Sequence, residues 1–223
     1  CMSQSDHTAA IQKHCIGSDR SSVIYNGVSP ITPAETTNPI TMFSSEDTIC
    51  VSTGTLEWRK GYDVIVQAAE LLANDPHITF VFVGDGPLMQ TLNQTIIEKG
   101  LTNIIYLAGH QQHVGPWLAN SHIYISASRW EGLPYGILEA FQYQLPTIAS
   151  RSPGIVDCVS HDKNGRLFEP NNAHDLAENI RQLANDKRLQ QRYINASNHR
   201  LTSEFSEDTM TTALKSIYDT HFT

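Results

Sequence analysis

The chain reads as an α/β protein built on a doubly wound parallel sheet and closed by a purely helical C-terminal segment. Three observations carry that reading. Short apolar segments alternate with helical patterns between residues 48 and 168, several of those segments are hydrophobic on consecutive positions, and no strand pattern follows Asn172. Alternation of the two element types implies crossover connections between parallel strands. Consecutive apolar positions are what a strand covered on both faces requires.

Taken in order, residues 22–28 form a short apolar run ending at the turn signal Asn26-Gly27, and the positions after it, rich in Pro, Thr, Ser and Glu, read as a linker. Strands are expected at 48–53, 78–84, 103–108, 122–126, 146–149 and 165–168, with helices at 62–73, 87–99, 114–120, 135–143 and 155–160 between them. Gly84-Asp85-Gly86-Pro87 closes one strand and opens a helix, a tight turn in which glycine avoids a Cβ clash. Pro134 suits a first helical position, where a missing N–H costs nothing. Beyond Asn172, Leu176, Ile180, Leu183, Leu189 and Tyr193 recur at helical intervals, and residues 206–221 form a last helix with Met210, Leu214, Ile217 and Tyr218 on one side. In a sheet of this kind ligands bind outside the carboxyl ends of the strands.

At 223 residues and 40% hydrophobic content the chain can bury one sizeable core plus a small appendage. Net charge is −8, and the fifteen Lys and Arg form no block longer than Arg59-Lys60 and Lys187-Arg188, so the electrostatic footprint of a nucleic-acid binder is absent. An acidic protein still binds an anion where amides and one or two cations act within a screening length of about 8 to 10 Å. The four cysteines, at 1, 15, 50 and 158, show neither C-x-x-C spacing nor a disulfide framework, which favours reduced thiols and a cytoplasmic setting. No apolar run approaches the ~18 residues of a membrane span, and no basic-then-apolar leader is present, so membrane association is left to parts of the protein outside this chain.

The most informative stretch is Glu131-Gly132-Leu133-Pro134-Tyr135-Gly136-Ile137-Leu138-Glu139, two carboxylates around a helix start. The amides of Tyr135 and Gly136 should point outward unpaired. A helix N-terminus carries roughly half a positive charge and free N–H groups, a ready site for a diphosphate. A second constellation, Ser52-Thr-Gly-Thr-Leu-Glu-Trp-Arg-Lys-Gly-Tyr-Asp63, places Lys60 at a strand-to-helix loop, where a compact cation on a flexible stem can neutralise phosphate. His110 and His113 lack a third ligand at metal-binding spacing.

The first stretch resembles the E-x7-E region of the retaining family 4 glycosyltransferases. The resemblance runs from Ile49 to about Phe205 and includes N-I-I-Y-L-A-G-H, W-L-A-N-S-H-I-Y-I-S-A-S-R-W and E-A-F-Q-Y-Q-L-P-T-I-A-S in that order. It implies the Rossmann-like donor-binding half of a GT-B fold at 48–205. Residues 1–47 would then be the end of an acceptor domain plus linker, and 206–223 a helix crossing back to that domain.

By the same resemblance Glu131 contacts donor-sugar hydroxyls at the reacting carbon, Glu139 grips the ribose hydroxyls and Lys60 neutralises the leaving diphosphate. Gly132, Leu133, Pro134, Tyr135 and Gly136 shape the donor site, Gly84 belongs to its G-D-G-P turn, and Gly109 and His110 lie beside the nucleobase. No D-x-D motif is present, so neither metal nor cofactor is expected beyond the nucleotide-sugar substrate. Removal of Glu131 is expected to spare nucleotide affinity.

There is one departure. Relatives commonly carry Arg where this chain has Thr55. Arg59 is the candidate replacement, although adjacent residues generally point in different directions. The loop 150–157 reads as structural. Two alternatives stay open: another GT-B enzyme, such as a sugar-nucleotide epimerase or a phosphorylase, and a non-catalytic nucleotide-sugar binding module.

Overall fold

The computed structural model describes residues 1–17, 21–31, 37–75 and 77–222, so residues 32–36 of the linker lie outside the described residues. Six strands form one parallel sheet: β1 (Thr48–Thr53), β2 (Ile78–Val83), β3 (Ile105–Gly109), β4 (Ile123–Ser126), β5 (Thr147–Ser150) and β6 (Arg166–Phe168). Their spatial order is β3-β2-β1-β4-β5-β6. The order reverses between β1 and β4, which is where a doubly wound sheet opens a crevice.

The expected strands are all present, with edges moved by one or two residues. β3 starts at Ile105 rather than 103, because Ile104 closes a turn and donates its amide to the Leu101 carbonyl at 3.1 Å. β2 is buried at every position and β4 and β5 likewise, as consecutive apolar residues demanded. Alternate side chains feed two cores. Phe80 and Phe82 enter the layer beneath α2 (Tyr62–Leu71), α3 (Met89–Glu98) and α7 (Ala173–Asn185), while Val81 and Val83 enter the layer beneath α4 (Gly115–Ala119), α5 (Tyr135–Gln142) and α6 (Ile155–Cys158).

The C-terminal helices are α7, α8 (Lys187–Glu204) and α9 (Glu207–Phe222). Asn172 and Asp186 cap α7 and α8, accepting the amides of Asp175 and Leu189 at 3.0 and 2.9 Å. The short helix α1 (Gln4–Gln12) and the segment after it lie against the sheet domain. Ser5 donates its amide to Asp157 at 3.1 Å, Tyr25 packs on Phe205 with ring centroids 5.1 Å apart, and Val28 bridges to Ser206. Met210 of α9 faces Gly27, whereas Leu214 and Tyr218 are exposed. Among the described residues no helix is long and apolar enough to cross a membrane.

Candidate functional site

The site is built at the switch point, from the segments that leave β1 and β4. After β1 the chain turns through a short 3-10 helix, Trp58–Lys60, which ends at Gly61 in the left-handed conformation. After β4, residues 127–134 lead to α5. The two segments are laced together. Arg129 donates its amide to the Arg59 carbonyl at 2.8 Å, and its guanidinium forks onto Asp63 at 3.1 and 2.8 Å while lying over the Trp58 ring. Trp58 and Trp130, both exposed, pack against each other on the rim.

Glu131 sits where these segments meet, only 9% exposed. Lys60 Nζ donates to Oε1 at 2.7 Å, Arg59 Nη1 to Oε2 at 2.6 Å, and the Ser128 hydroxyl to Oε1 at 2.8 Å. Both cations therefore converge on one carboxylate. The expectation that neighbouring side chains diverge fails because residues 58–60 form a tight turn rather than a strand, and the long Arg59 stem bends back. Its other nitrogens, Nε and Nη2, are held by Glu57 Oε1 at 3.1 and 2.8 Å. Burial alone would raise the Glu131 carboxyl, but the hydrogen bonds and charges of Lys60 and Arg59, with the Ser128 hydroxyl, outweigh it and hold the group below its ordinary value. Glu131 is thus anionic at neutral pH.

Its backbone is fixed from behind by the 150–157 loop. Glu131 donates its amide to the Pro153 carbonyl at 3.0 Å, and Gly154 (φ +77°) packs so closely that a Cβ there would overlap the Glu131 carbonyl oxygen. Ser150 donates its hydroxyl to the Ser128 carbonyl, which fixes the residue whose side chain holds Glu131. The loop read as structural from the sequence is therefore what positions the carboxylate.

The start of α5 supplies the facing wall. Pro134 is the N-cap, with ψ 87° outside the helical range, so the helix begins at Tyr135 rather than at the proline. A proline ring fixes φ and leaves ψ free, and the residue can therefore stand outside the first turn. The Pro134 carbonyl accepts from Ile137, and among the described residues the Tyr135 and Gly136 amides donate to nothing. Gly136 has no room for a side chain: a Cβ would overlap the Tyr124 hydroxyl and stand 3.1 Å from the Thr53 hydroxyl. The Tyr135 ring turns away, its hydroxyl accepting from Asn26 at 2.7 Å.

The Glu139 carboxylate, one turn into α5, has no hydrogen-bond or ion-pair partner among the described residues, and burial pushes it above its ordinary value. The buried Tyr124 phenol, hydrogen-bonded to Thr53 at 3.0 Å, feels the charges of both Glu139 and Glu131. Glu131 lines one small polar pocket of about 20 Å³ together with Thr53, Lys60, Tyr124, Pro134 and Gly136 among others.

The remaining expected residues are more distant. Gly132 lies beside Met2 and Asp6 of the N-terminal segment, and Leu133 is buried in the core under α5. Gly84 (φ +149°) ends β2 with a Cβ position that would overlap the Gly54 carbonyl oxygen, so the G-D-G-P turn supports the loop that carries Lys60. Gly109 and the exposed His110 end β3, two strands from β1 along the carboxyl edge of the sheet. Among the described residues no three His, Cys, Asp or Glu side chains cluster at metal-binding distance. Ser128, Thr53 and Tyr124 escaped the sequence reading; their signal was position at strand ends, which residue type alone does not mark.

The family model of glycosyl transferases group 1 matches residues 34–200. Lipopolysaccharide core biosynthesis glycosyltransferases of Rhizobium meliloti (strain 1021) are similar: LpsE is 26% identical over 165 residues, covering 74% of this chain and 48% of that protein. LpsD is 27% identical over 191 residues, covering 85% of this chain and 53% of that protein. The chain spans about half the length of these curated relatives. Among solved structures, Anabaena Alr3699/HepE in complex with UDP and glucose superposes with a TM-score of 0.86 at 22% identity, covering 98% of this chain and 62% of that one, which shows the GT-B type of fold. With a matched region extending over more than half of its length, the chain belongs to the group 1 glycosyl transferases.

Proposed function

We propose that this chain is the donor-binding half of a retaining, metal-independent glycosyltransferase that moves a sugar from a nucleoside diphosphate sugar onto an acceptor in polysaccharide or glycoconjugate synthesis. The carrying observation is the facing pair at the switch point: two cations on Glu131 on one side, two undonated amides at the start of α5 on the other. The similarity to lipopolysaccharide glycosyltransferases and to a structure holding UDP and glucose supports it.

In this reading the bond between the anomeric carbon and the diphosphate oxygen breaks, and that oxygen takes up negative charge. Lys60 and the Tyr135 and Gly136 amides stabilise that charge from fixed positions, which matters most as the charge develops. The anomeric centre becomes oxocarbenium-like, with Glu131 holding the sugar hydroxyls beside it. An acceptor hydroxyl attacks from the face the diphosphate leaves and gives its proton to the departing phosphate, so the configuration is retained. Glu139, an unpaired acceptor with two oxygens, suits the two ribose hydroxyls. The acceptor binds on a second domain.

Calorimetry of this chain with UDP, GDP and ADP tests the donor site. Lys60→Ala is expected to weaken the bound nucleotide by about 1 to 3 kcal/mol, the scale of a charge-assisted hydrogen bond. Glu139→Ala should weaken nucleotide and nucleotide sugar alike. Unchanged affinity in both variants would remove this site from the proposal.

Metal independence has its own test. Lysine and helix amides do here what a divalent cation does elsewhere, so turnover by the complete enzyme should survive excess EDTA. A loss restored by manganese or magnesium would contradict the proposal.

A further inference from the structure

We propose that Arg59 is a second diphosphate-binding cation, and that Glu131 is the internal anion that holds Arg59 and Lys60 until the donor's diphosphate takes them over. The inference rests on the donor-site reading and adds to it a competition within the site.

Three features point to this exchange. First, Glu131 accepts from three donors, Lys60, Arg59 and Ser128, at 2.7, 2.6 and 2.8 Å, so both oxygens are engaged by the protein itself. A carboxylate in that state has little left for sugar hydroxyls. Second, the pocket between Lys60, Glu131 and Gly136 holds about 20 Å³, room for roughly one water and far less than a diphosphate. Because Lys60, Glu131 and Gly136 line the same pocket, a diphosphate seated at the α5 amides competes with Glu131 for the lysine. Third, the two cations are anchored differently. Arg59 is held as one rigid plane, Nε and Nη2 on Glu57 and Nη1 on Glu131 and on the Trp130 carbonyl at 3.3 Å, so it presents its charge beside Glu131 from a fixed position. Lys60 lies along Gly54 on a flexible stem, its Cε 3.4 Å from where a Cβ would be, and can swing.

A diphosphate offers more negative charge than one carboxylate and accepts from the α5 amides as well, so it wins the two cations. Glu131, released by both and still held by the Ser128 hydroxyl, is then free to accept from the sugar. The site that reads Thr55 in place of an arginine regains its second cation from Arg59. Because the exchange links the two events, the carboxylate that serves the sugar becomes available only when a diphosphate is in place.

The test is calorimetric titration of this chain with UDP, GDP and ADP, using the matching nucleosides as phosphate-free controls. Glu131→Gln keeps the shape and the hydrogen bond from Ser128 but removes the competing charge. It is expected to bind the preferred diphosphate about fivefold or more tighter than the parent, the effect of deleting one ion-pair competitor, with nucleoside affinity unmoved. Arg59→Ala should bind at least about fivefold more weakly, and Glu131→Gln should no longer tighten binding fully when combined with it.

Should Glu131→Gln bind the diphosphate no tighter than the parent, or Arg59→Ala bind it as well, the exchange is wrong while the donor site stands. A parent that binds none of the three diphosphates overturns the donor reading, and the exchange with it. Thermal melts of each variant establish that the folded protein is being compared.

Discussion

Glu131→Ala in the complete enzyme is expected to lower turnover by about 10²- to 10⁴-fold, the range seen when an electrostatic or proton-handling group is removed from a reaction centre. The proposed role places this carboxylate against the sugar as positive charge grows on its ring, an interaction stronger in the transition state than in the ground state. Such an interaction appears in kcat more than in KM. Glu131→Gln separates charge from shape: it should be nearly as slow as alanine if the anion matters, and close to the parent if only a hydrogen bond does. The measurement is steady-state sugar transfer, with circular dichroism of each variant confirming the fold. Parent-like turnover in Glu131→Ala would end the catalytic assignment.

The second large effect is on stability and concerns the loop behind that carboxylate. Gly154→Ala is expected to cost about 2 to 4 kcal/mol, combining left-handed backbone strain with the shift needed to free its Cβ from the Glu131 and Gly132 carbonyls. For a chain of this size that is a fall in Tm of roughly 4 to 16 °C. Gly100→Ala is the control, because Gly100 also has a positive φ of +67° but a Cβ there would meet nothing within 4 Å. It should lose only about 1 kcal/mol. If the two variants melt together, the loop does not press on Glu131 as described.

These two expectations depend on different kinds of information. The elements of the sheet domain were legible from periodicity, because a buried parallel strand must be apolar on both faces and a covering helix on one. Those are local requirements written within ten or so residues. Glu131, Lys60 and the free amides of α5 were likewise readable, since each belongs to a short motif with its own geometry. Helix and strand ends drifted by a residue or two, Pro134 among them, where a carbonyl or amide could be satisfied in more than one way.

What the sequence by itself determined, then, was the class of fold, and it singled out the two carboxylates and the lysine of the proposed donor site. Only the tertiary structure decided that Arg59, Lys60 and Ser128 meet on Glu131, that the 150–157 loop fixes its backbone, and that the Glu139 carboxylate has no partner among the described residues. Nothing local says which anion a cation 71 residues away will face. The answer is set by the strand order, which brings the ends of β1 and β4 side by side although β2 and β3 intervene in the chain. Partnerships of that kind arise from packing between distant segments, and periodicity within a segment carries no record of them.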